Sequence, residues 1–430
     1  MSRRQRTKEY RNKVKKQWKQ KYWSFIEENL DKDLYWRALS RHPYIDMDII
    51  SNNIDLPWDW RDASENINLT YEMIKNNPDK PWDWYRISYN PNITWENIRD
   101  NPDKQWNWGR VSFNPNITWD IIINNPDIPW NWNSISINPN ITPDIILNNP
   151  KKHWGWENMC WNTNINSEIV SKNLDKPWDW NEFSRNTNLD VKIIYDNPDA
   201  PWNFNSISIN RNITIEVLNK IQDKPLVWGD LSINKNITVD YIKENLDKPW
   251  DWGGISLNPN LTMEFILENP DKPWDWEQIS CNPNITWNNI KENPDKPWIW
   301  NEISSNPNIT WDIIRDNLEK PWDWEELTQN KSITMDIIED NPEYPWVWEN
   351  ILSNPNINLD IIKNNPNEDW NWALICNYRF EIDKENFIID KYRKYLAAYK
   401  IQQWWKHITM SPHTKIGRKL INKKYDELFD

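Results

Sequence analysis

From Trp82 the chain reads WDWYRISYNPNITWENIRDNPDKP, and the apolar positions of this stretch return every 24 residues. The first tryptophan of the Trp-x-Trp pair recurs at Trp58, Trp82, Trp106, Trp130 and onward to Trp370, with Leu226 in one place. The second follows the same grid from Trp36 to Trp372, with Phe204 in one place. No insertion or deletion interrupts the spacing. Strict self-similarity of this kind marks a repeat architecture, in which each unit packs against its neighbours and added length brings no new core. About fifteen units run from roughly Asp31 to Asn377, the first and last degenerate.

Each unit carries two helical patterns. The second is the sharper. Thr94, Thr118, Thr142 and their equivalents stand where an N-cap is needed, with an acid two residues on (Glu96, Asp120, Asp144) to complement the helix dipole. Ile93 before the cap and Ile98 after it have the spacing of a hydrophobic staple. Asn-Pro then ends the helix, because proline pushes the preceding residue out of the α region. For the first pattern, Asp79 or Lys80 is the expected cap and Pro81 the expected first-turn residue, with Trp84, Ile87 and Ser88 sharing one face. Helices of about 8–11 residues are too short to stand alone in water, so stability must come from stacking.

The fold class expected is all-α: an α-solenoid of two-short-helix repeats with helical caps, tracing an arc on the order of 130 Å at helix spacings of about 8–10 Å. A β-containing solenoid is the alternative, since Trp84-x-x-Ile87-x-Tyr89-x-x-Asn92 can be fitted to a leucine-rich pattern. That fit weakens where the inner apolar position becomes Arg185, Ser305, Gln329 or Ser353. Three regions follow: a basic amphipathic N-terminal helix over 1–30, the repeats over 31–377, and a helical C-terminal cap or tail over 378–430.

The recurring residues read as scaffold. Each large aromatic buries about 150–250 Å², and a short two-helix unit has few other bulky groups. Apolar replacements at Phe204 and Leu226 suit a core better than a base-stacking ladder. Asn66, Asn90, Asn114 and their equivalents to Asn354 hold one position throughout. Since Thr163, Arg211 and Lys235 can follow in place of proline, the amide itself is expected to bind free backbone groups of the inter-helix turn and to reach a neighbouring unit.

The position after the small residue of the first helix varies instead. It reads Tyr89, Phe113, Ile137, Trp161, Arg185, Ile209, Ile233, Leu257, Cys281, then Ser305, Gln329 and Ser353. If packing required an apolar side chain there, the polar members would be costly. Tyr89, Phe113, Ile137, Trp161, Ile209, Ile233 and Leu257 are therefore the candidate partner surface, an exposed apolar stripe.

Charge narrows the partners. Residues 1–22 hold ten Lys or Arg against Glu9 alone, so a net −13 for the whole chain leaves about −22 for the remainder. An acidic repeat body does not suit general nucleic-acid binding, which only the basic termini could support. Tyr10, Val14, Trp18 and Tyr22 recur every four residues within the basic N-terminal segment and predict a helix that covers the first unit. Near the other end, Ile401-Gln402 followed by Lys406 resembles a fragment of an IQ helix, although Ser411 stands where a second base belongs. A helix that caps the array through Trp404 or Trp405 is the preferred reading.

Chemistry is sparse. With 6 glycines in 430 residues there is no phosphate-cradling loop. No nucleophile motif occurs, and His42, His153, His407 and His413 lack metal spacing. Cys160, Cys281 and Cys376 are odd in number and far apart, which suits a reducing intracellular setting over a disulfide framework. No apolar run is long enough to span a bilayer. A non-catalytic protein without cofactor, metal, membrane span or small-molecule substrate is expected, its partner an unidentified protein.

The units, written ISxNPNITWDIIxxNPDKPWDW, resemble tandem repeat proteins of the mimivirus-like giant viruses of amoebae, and the tail from Ala397 to Phe429 is similar to the closing segment of repeat proteins in those viruses. The resemblance covers most of the chain and carries no established activity. It implies a scaffold acting in an infected host cell, in host cytoplasm or virion, with a structural virion or assembly component as the alternative. More remotely, the period and the Asn-Pro turns resemble the leucine-rich repeat variant, a solenoid of alternating short helices.

Overall fold

A computed structural model describes residues 3–186, 190–411 and 413–420. Among these, every regular element is helical and no strand occurs. The protein is an α-solenoid of short paired helices.

The second helix of the unit forms as its cap predicts. In Trp95–Arg99 the Thr94 hydroxyl accepts from Asn97 N–H while Asn97 Oδ1 accepts from Thr94 N–H at 3.0 Å, a reciprocal cap. Ile93 and Ile98 are both buried. The preceding second helix, Tyr71–Asn76, ends at Asn77, whose φ of −133° and ψ of 59° lie outside the α region, as expected before proline.

The first helix starts later than the sequence suggests. Trp84–Ile87 is capped by Asp83, between the two tryptophans, whose carboxylate accepts from Arg86 N–H at 3.2 Å. Neither Asp79 nor Lys80 caps it, and Pro81 lies outside the helix. The intervening residues are committed to a tight turn: Asn77 O accepts from Lys80 N–H at 3.3 Å and from Trp82 Nε1–H at 2.8 Å, and Lys80 O accepts from Trp82 N–H at 2.8 Å. That turn shortens both helices, which run four to six residues in the repeats instead of the eight or more expected.

Both tryptophans work at the junction between units. Trp106 is buried, donates Nε1–H to Asn101 O at 2.8 Å and meets Trp84 of the preceding unit edge-to-face at 5.0 Å. The geometry recurs at Trp60–Trp82, Trp228–Trp250 and Trp300–Trp322. Polar ladders run beside this aromatic one. Ser88 Oγ–H donates to Trp84 O at 2.6 Å, and Ser88 Oγ accepts at 2.9 Å from Asn107 N–H, the cap residue of the next unit. The Asn114 amide reaches back one unit, donating to Ser88 O and Asn90 O at 3.1 Å each, while its oxygen accepts from Asn116 N–H at 2.9 Å. These buried amides satisfy backbone groups that short helices leave open.

The arc of units closes into a ring. The first helix of the first unit, Trp36–Arg41, packs beside the first helix of the last, Trp372–Asn377. Cys376 Sγ accepts from Tyr35 N–H at 3.4 Å, just as Ser40 Oγ accepts from Asp59 N–H at 2.8 Å at an ordinary junction. The second helix of the last unit comes from the other end of the chain. Residues 23–27 of the N-terminal helix Arg3–Glu27 fill it. Phe25 stacks on Trp372 at 5.9 Å, as Phe265 stacks on Trp252 at 6.3 Å. Trp23 meets Trp58 at 5.8 Å, as Trp95 meets Trp130 at 5.7 Å. Glu28 pairs with Lys363 at 2.7 Å, as Glu268 pairs with Lys243 at 2.7 Å. The boundary drawn at residue 30 thus cuts a segment that belongs to the ring in space.

Consecutive first helices pack directly on one another, whereas most consecutive second helices lie farther apart. In a closed ring the more closely spaced row lies nearer the axis, so the first helices form the inner wall. Fifteen helices about 8–10 Å apart, each about 10–12 Å wide, leave a central opening of about 30 Å.

The N-terminal helix continues past the ring and packs on the C-terminal helix Glu381–Met410. Tyr10 stacks on Tyr395 at 4.1 Å and Trp18 meets Phe387 at 5.6 Å. Val14, Trp18 and Tyr22 are buried, as their four-residue spacing predicts. Phe380, with φ of 46°, turns the chain out of the ring into the C-terminal helix. Among the described residues Trp404 and Trp405 cap nothing: both are exposed, and the helix packs through Phe387 and Tyr395 instead.

Candidate interaction surface

On most first helices the positions equivalent to Tyr85 and Tyr89 are open to solvent. Ile87 and Ser88 are fully buried, Arg86 is half-buried, and Tyr85 and Tyr89 are exposed. The predicted stripe lies on this face. Trp161 is 55% exposed, Ile209 47%, and Ile233 and Leu257 49% each; Tyr89 is 40% exposed, and Phe113 and Ile137 are half-buried. Tyr89 and Phe113 lie parallel at 5.2 Å. The Arg110 guanidinium covers the rings of Tyr85 at 4.4 Å and Tyr89 at 5.7 Å, a cation–π arrangement that holds two aromatics flat against the wall.

Arg185 interrupts the stripe and turns to its neighbour, donating Nε–H to Ser206 Oγ at 3.2 Å. Beyond Leu257 the row satisfies itself locally: the Cys281 thiol donates to Gln278 O at 3.5 Å, and Ser305 Oγ–H donates to Glu302 O at 3.0 Å. The wall is also polarised. At one flank the buried Asp62 accepts from Arg37 at 2.8 Å and from Arg86 at 2.9 Å, and Arg86 reaches Glu65 at 2.9 Å. At the other, burial together with Asp323, Glu302 and Glu325 pushes the Glu326 carboxyl above its ordinary range. The apolar stripe spans the arc between a paired Arg/Asp sector and an acidic one.

Burial pushes the Cys160 thiol up to about 12 and those of Cys281 and Cys376 to about 11, so none supplies a thiolate near neutral pH. Burial lowers His42 to about 4. Among the described residues no three His, Cys, Asp or Glu side chains are gathered to hold a metal ion, and no helix is long and apolar enough to cross a membrane. An open groove of about 790 Å³ lies between adjacent Trp-x-Trp segments, lined by Trp58, Trp60, Trp82 and Trp84.

Two features escaped the sequence reading. The serine row pins one unit to the next, and its signal was a Ser, Thr or Cys at every position of its column but Leu352, as at Ser88, Thr328 and Cys376. The Arg110 clamp could not be seen, because its column holds arginine only at Arg86 and Arg110 and otherwise varies among Asp62, Ser134, Asn158 and Glu182. No protein-family model, curated protein or solved structure matches the chain.

Proposed function

We propose that the protein is a non-catalytic ring scaffold that binds a protein partner through the apolar stripe on its first-helix wall. One observation carries the reading: on seven of eight consecutive first helices, Tyr89 to Leu257, a large apolar side chain stands partly or largely exposed at a position that is polar elsewhere in the same ring. The fold does not need those side chains, and contiguous exposed apolar surface on a protein is characteristic of interaction sites. The resemblance to giant-virus repeat proteins extends the reading to a scaffold acting in an infected cell.

A photo-crosslinking residue placed at Ile137 or Ile209 in the full chain, expressed in a host cell, tests it. A discrete crosslinked polypeptide should form from these positions and not from Ser305, Gln329 or Ser353, and it should disappear when Tyr89, Phe113 and Ile233 are changed to serine. Equal crosslinking around the whole ring would refute the stripe as the binding face.

A second reading, attachment to nucleic acid, is favoured by Lys8, Arg11 and Lys15, which lie exposed on the N-terminal helix along one flank of the strip buried through Val14 and Trp18. Changing all three to glutamine should then remove salt-sensitive retention on duplex DNA.

A further inference from the structure

We propose that the ring seam is an exchangeable joint, and that the slot filled by residues 23–27 accepts the same segment of a second copy of this chain. In every unit but one, a short loop ties the two helices together. In the seam unit the first helix is Trp372–Asn377 and the second is the end of the N-terminal helix, so only the long way around the ring connects them. What holds this unit together is non-covalent.

The chain's own continuation cannot fill the slot. One repeat further along the grid, the positions of Trp23, Phe25 and Ile26 are taken by Asp383, Glu385 and Asn386. Those polar residues would face the ring of Trp372 and the buried Leu359 and Ile362, so the continuation is excluded from the core and leaves instead as the C-terminal helix. The slot is thus left open by one terminus and shaped for the other.

Its chemistry selects a particular occupant. The aromatic pair Phe25–Trp372 is flanked by two ion pairs, Glu28–Lys363 at 2.7 Å and Lys21–Asp360 at 2.9 Å, of opposite sense. An incoming helix must therefore carry a base, then the apolar Trp-x-Phe-Ile group, then an acid. The N-terminal segment of another copy meets that pattern by identity. The seam also holds imperfections: the buried Trp18 Nε1 and Tyr22 Oη, both on the N-terminal helix, have no hydrogen-bond partner. Unsatisfied buried donors weaken this junction relative to the ordinary ones. Exchange in trans joins chains head to tail, a heterologous contact that closes into a larger ring or propagates. The intramolecular seat wins in dilute solution, because tethering raises the local concentration of the chain's own helix.

Complementation between two full-length variants tests the joint. One, Trp23→Ala/Ile26→Asp, keeps the slot and loses the helix that fills it; the other, Trp372→Ala/Lys363→Glu, keeps the helix and spoils the slot. Each alone should be a monomer by size-exclusion chromatography with light scattering, and an equimolar mixture should give a species of twice the mass. A mixture that stays monomeric while both variants retain wild-type helicity would overturn the proposal. A measurement on the unaltered chain stands beside it. Refolding from urea at high protein concentration should trap exchanged dimers that are lost after refolding at a hundredfold dilution, and monomers alone at every concentration would equally overturn it.

Discussion

Tyr35 and Cys376 are joined by a hydrogen bond of 3.4 Å across 341 residues of chain. It is the bond that Asp59 and Ser40 make between neighbouring units, with sulfur in place of the hydroxyl oxygen. A seam that repeats the ordinary junction atom for atom is a closed ring in register, and it sets what should happen when the seam is disturbed.

Two of the thiols should report ring closure. Cys281 is half-buried and Cys376 buried, both held protonated to about 11 by burial. Alkylation at pH 8, followed by peptide mass spectrometry, should modify Cys281 first and leave Cys376 protected. In the Trp23→Ala/Ile26→Asp variant Cys376 should become as reactive as Cys281 or more so. Rapid alkylation of Cys376 in the unaltered chain would contradict a closed seam.

His42 makes the seam sensitive to acid. It occupies the asparagine position of the first unit, stacks on Tyr22 at 4.4 Å, and accepts from Tyr44 N–H through Nδ1 at 3.3 Å. Burial lowers it from 6.5 to about 4, against the Tyr378 carbonyl and Glu381, with Arg379 acting in the same direction as burial. The folded value lies below the unfolded one, so the unfolded chain binds the proton first as pH falls. The contribution is full above pH 6.5 and is lost toward pH 4, by about 3 kcal/mol. His42→Asn should make urea stability flatter over that window than in the parent chain. Parallel pH profiles for the two chains would refute the assignment.

The asparagine ladder should be costly to cut. Asn114→Ala removes two donated bonds and one accepted bond from a fully buried site, and should lower stability by about 2–3 kcal/mol. Asn114→Asp keeps the acceptor but turns a carboxylate oxygen toward the Ser88 and Asn90 carbonyls, so the loss should exceed that of alanine. Urea midpoints and amide exchange across residues 88–116 measure both; an aspartate milder than alanine would argue against the donor role.

The tryptophan ladder separates into volume and hydrogen bond. Trp106→Ala should cost about 3–5 kcal/mol, through loss of the packing against Trp84. Trp106→Phe keeps an aromatic ring and loses the bond to Asn101 O, for about 1–2 kcal/mol. Guanidinium unfolding followed by circular dichroism distinguishes them. Leu226, in the column of Trp106, shows that the ring can be lost at one junction while the bond from Val227 N–H to Ser208 Oγ persists at 2.9 Å.

Much of this was legible one unit at a time. Thr94 as a cap, Ile93 with Ile98 as a staple, Asn77 as a stop and Trp106 as core each depend on residues a few positions apart, and local physics decided them. The first-helix cap was misread because Asp79, Lys80 and Pro81 satisfy a helix start as well as they satisfy a turn. Only the Trp82 Nε1 bond to Asn77 O chooses the turn, and that bond needs a side chain placed in three dimensions. The stripe from Tyr89 to Leu257 could be found because its polar variants betray a position that packing does not constrain, whereas the direction in which it faces could not.

The amino-acid pattern by itself determined the unit: its period, its two short helices, its caps, and the tryptophans and asparagines on which one copy stacks upon the next. Tertiary structure decided the number that matters to the whole. The first helices sit closer together than the second helices, and this difference turns each unit by about 24° where fifteen complete a circle. That angle is a sum of small packing mismatches over every junction, so no single repeat encodes it. Trp23, Phe25 and Ile26 were already on the 24-residue grid, hidden in a long basic helix. They acquire their meaning only once the accumulated rotation brings Trp372 within reach.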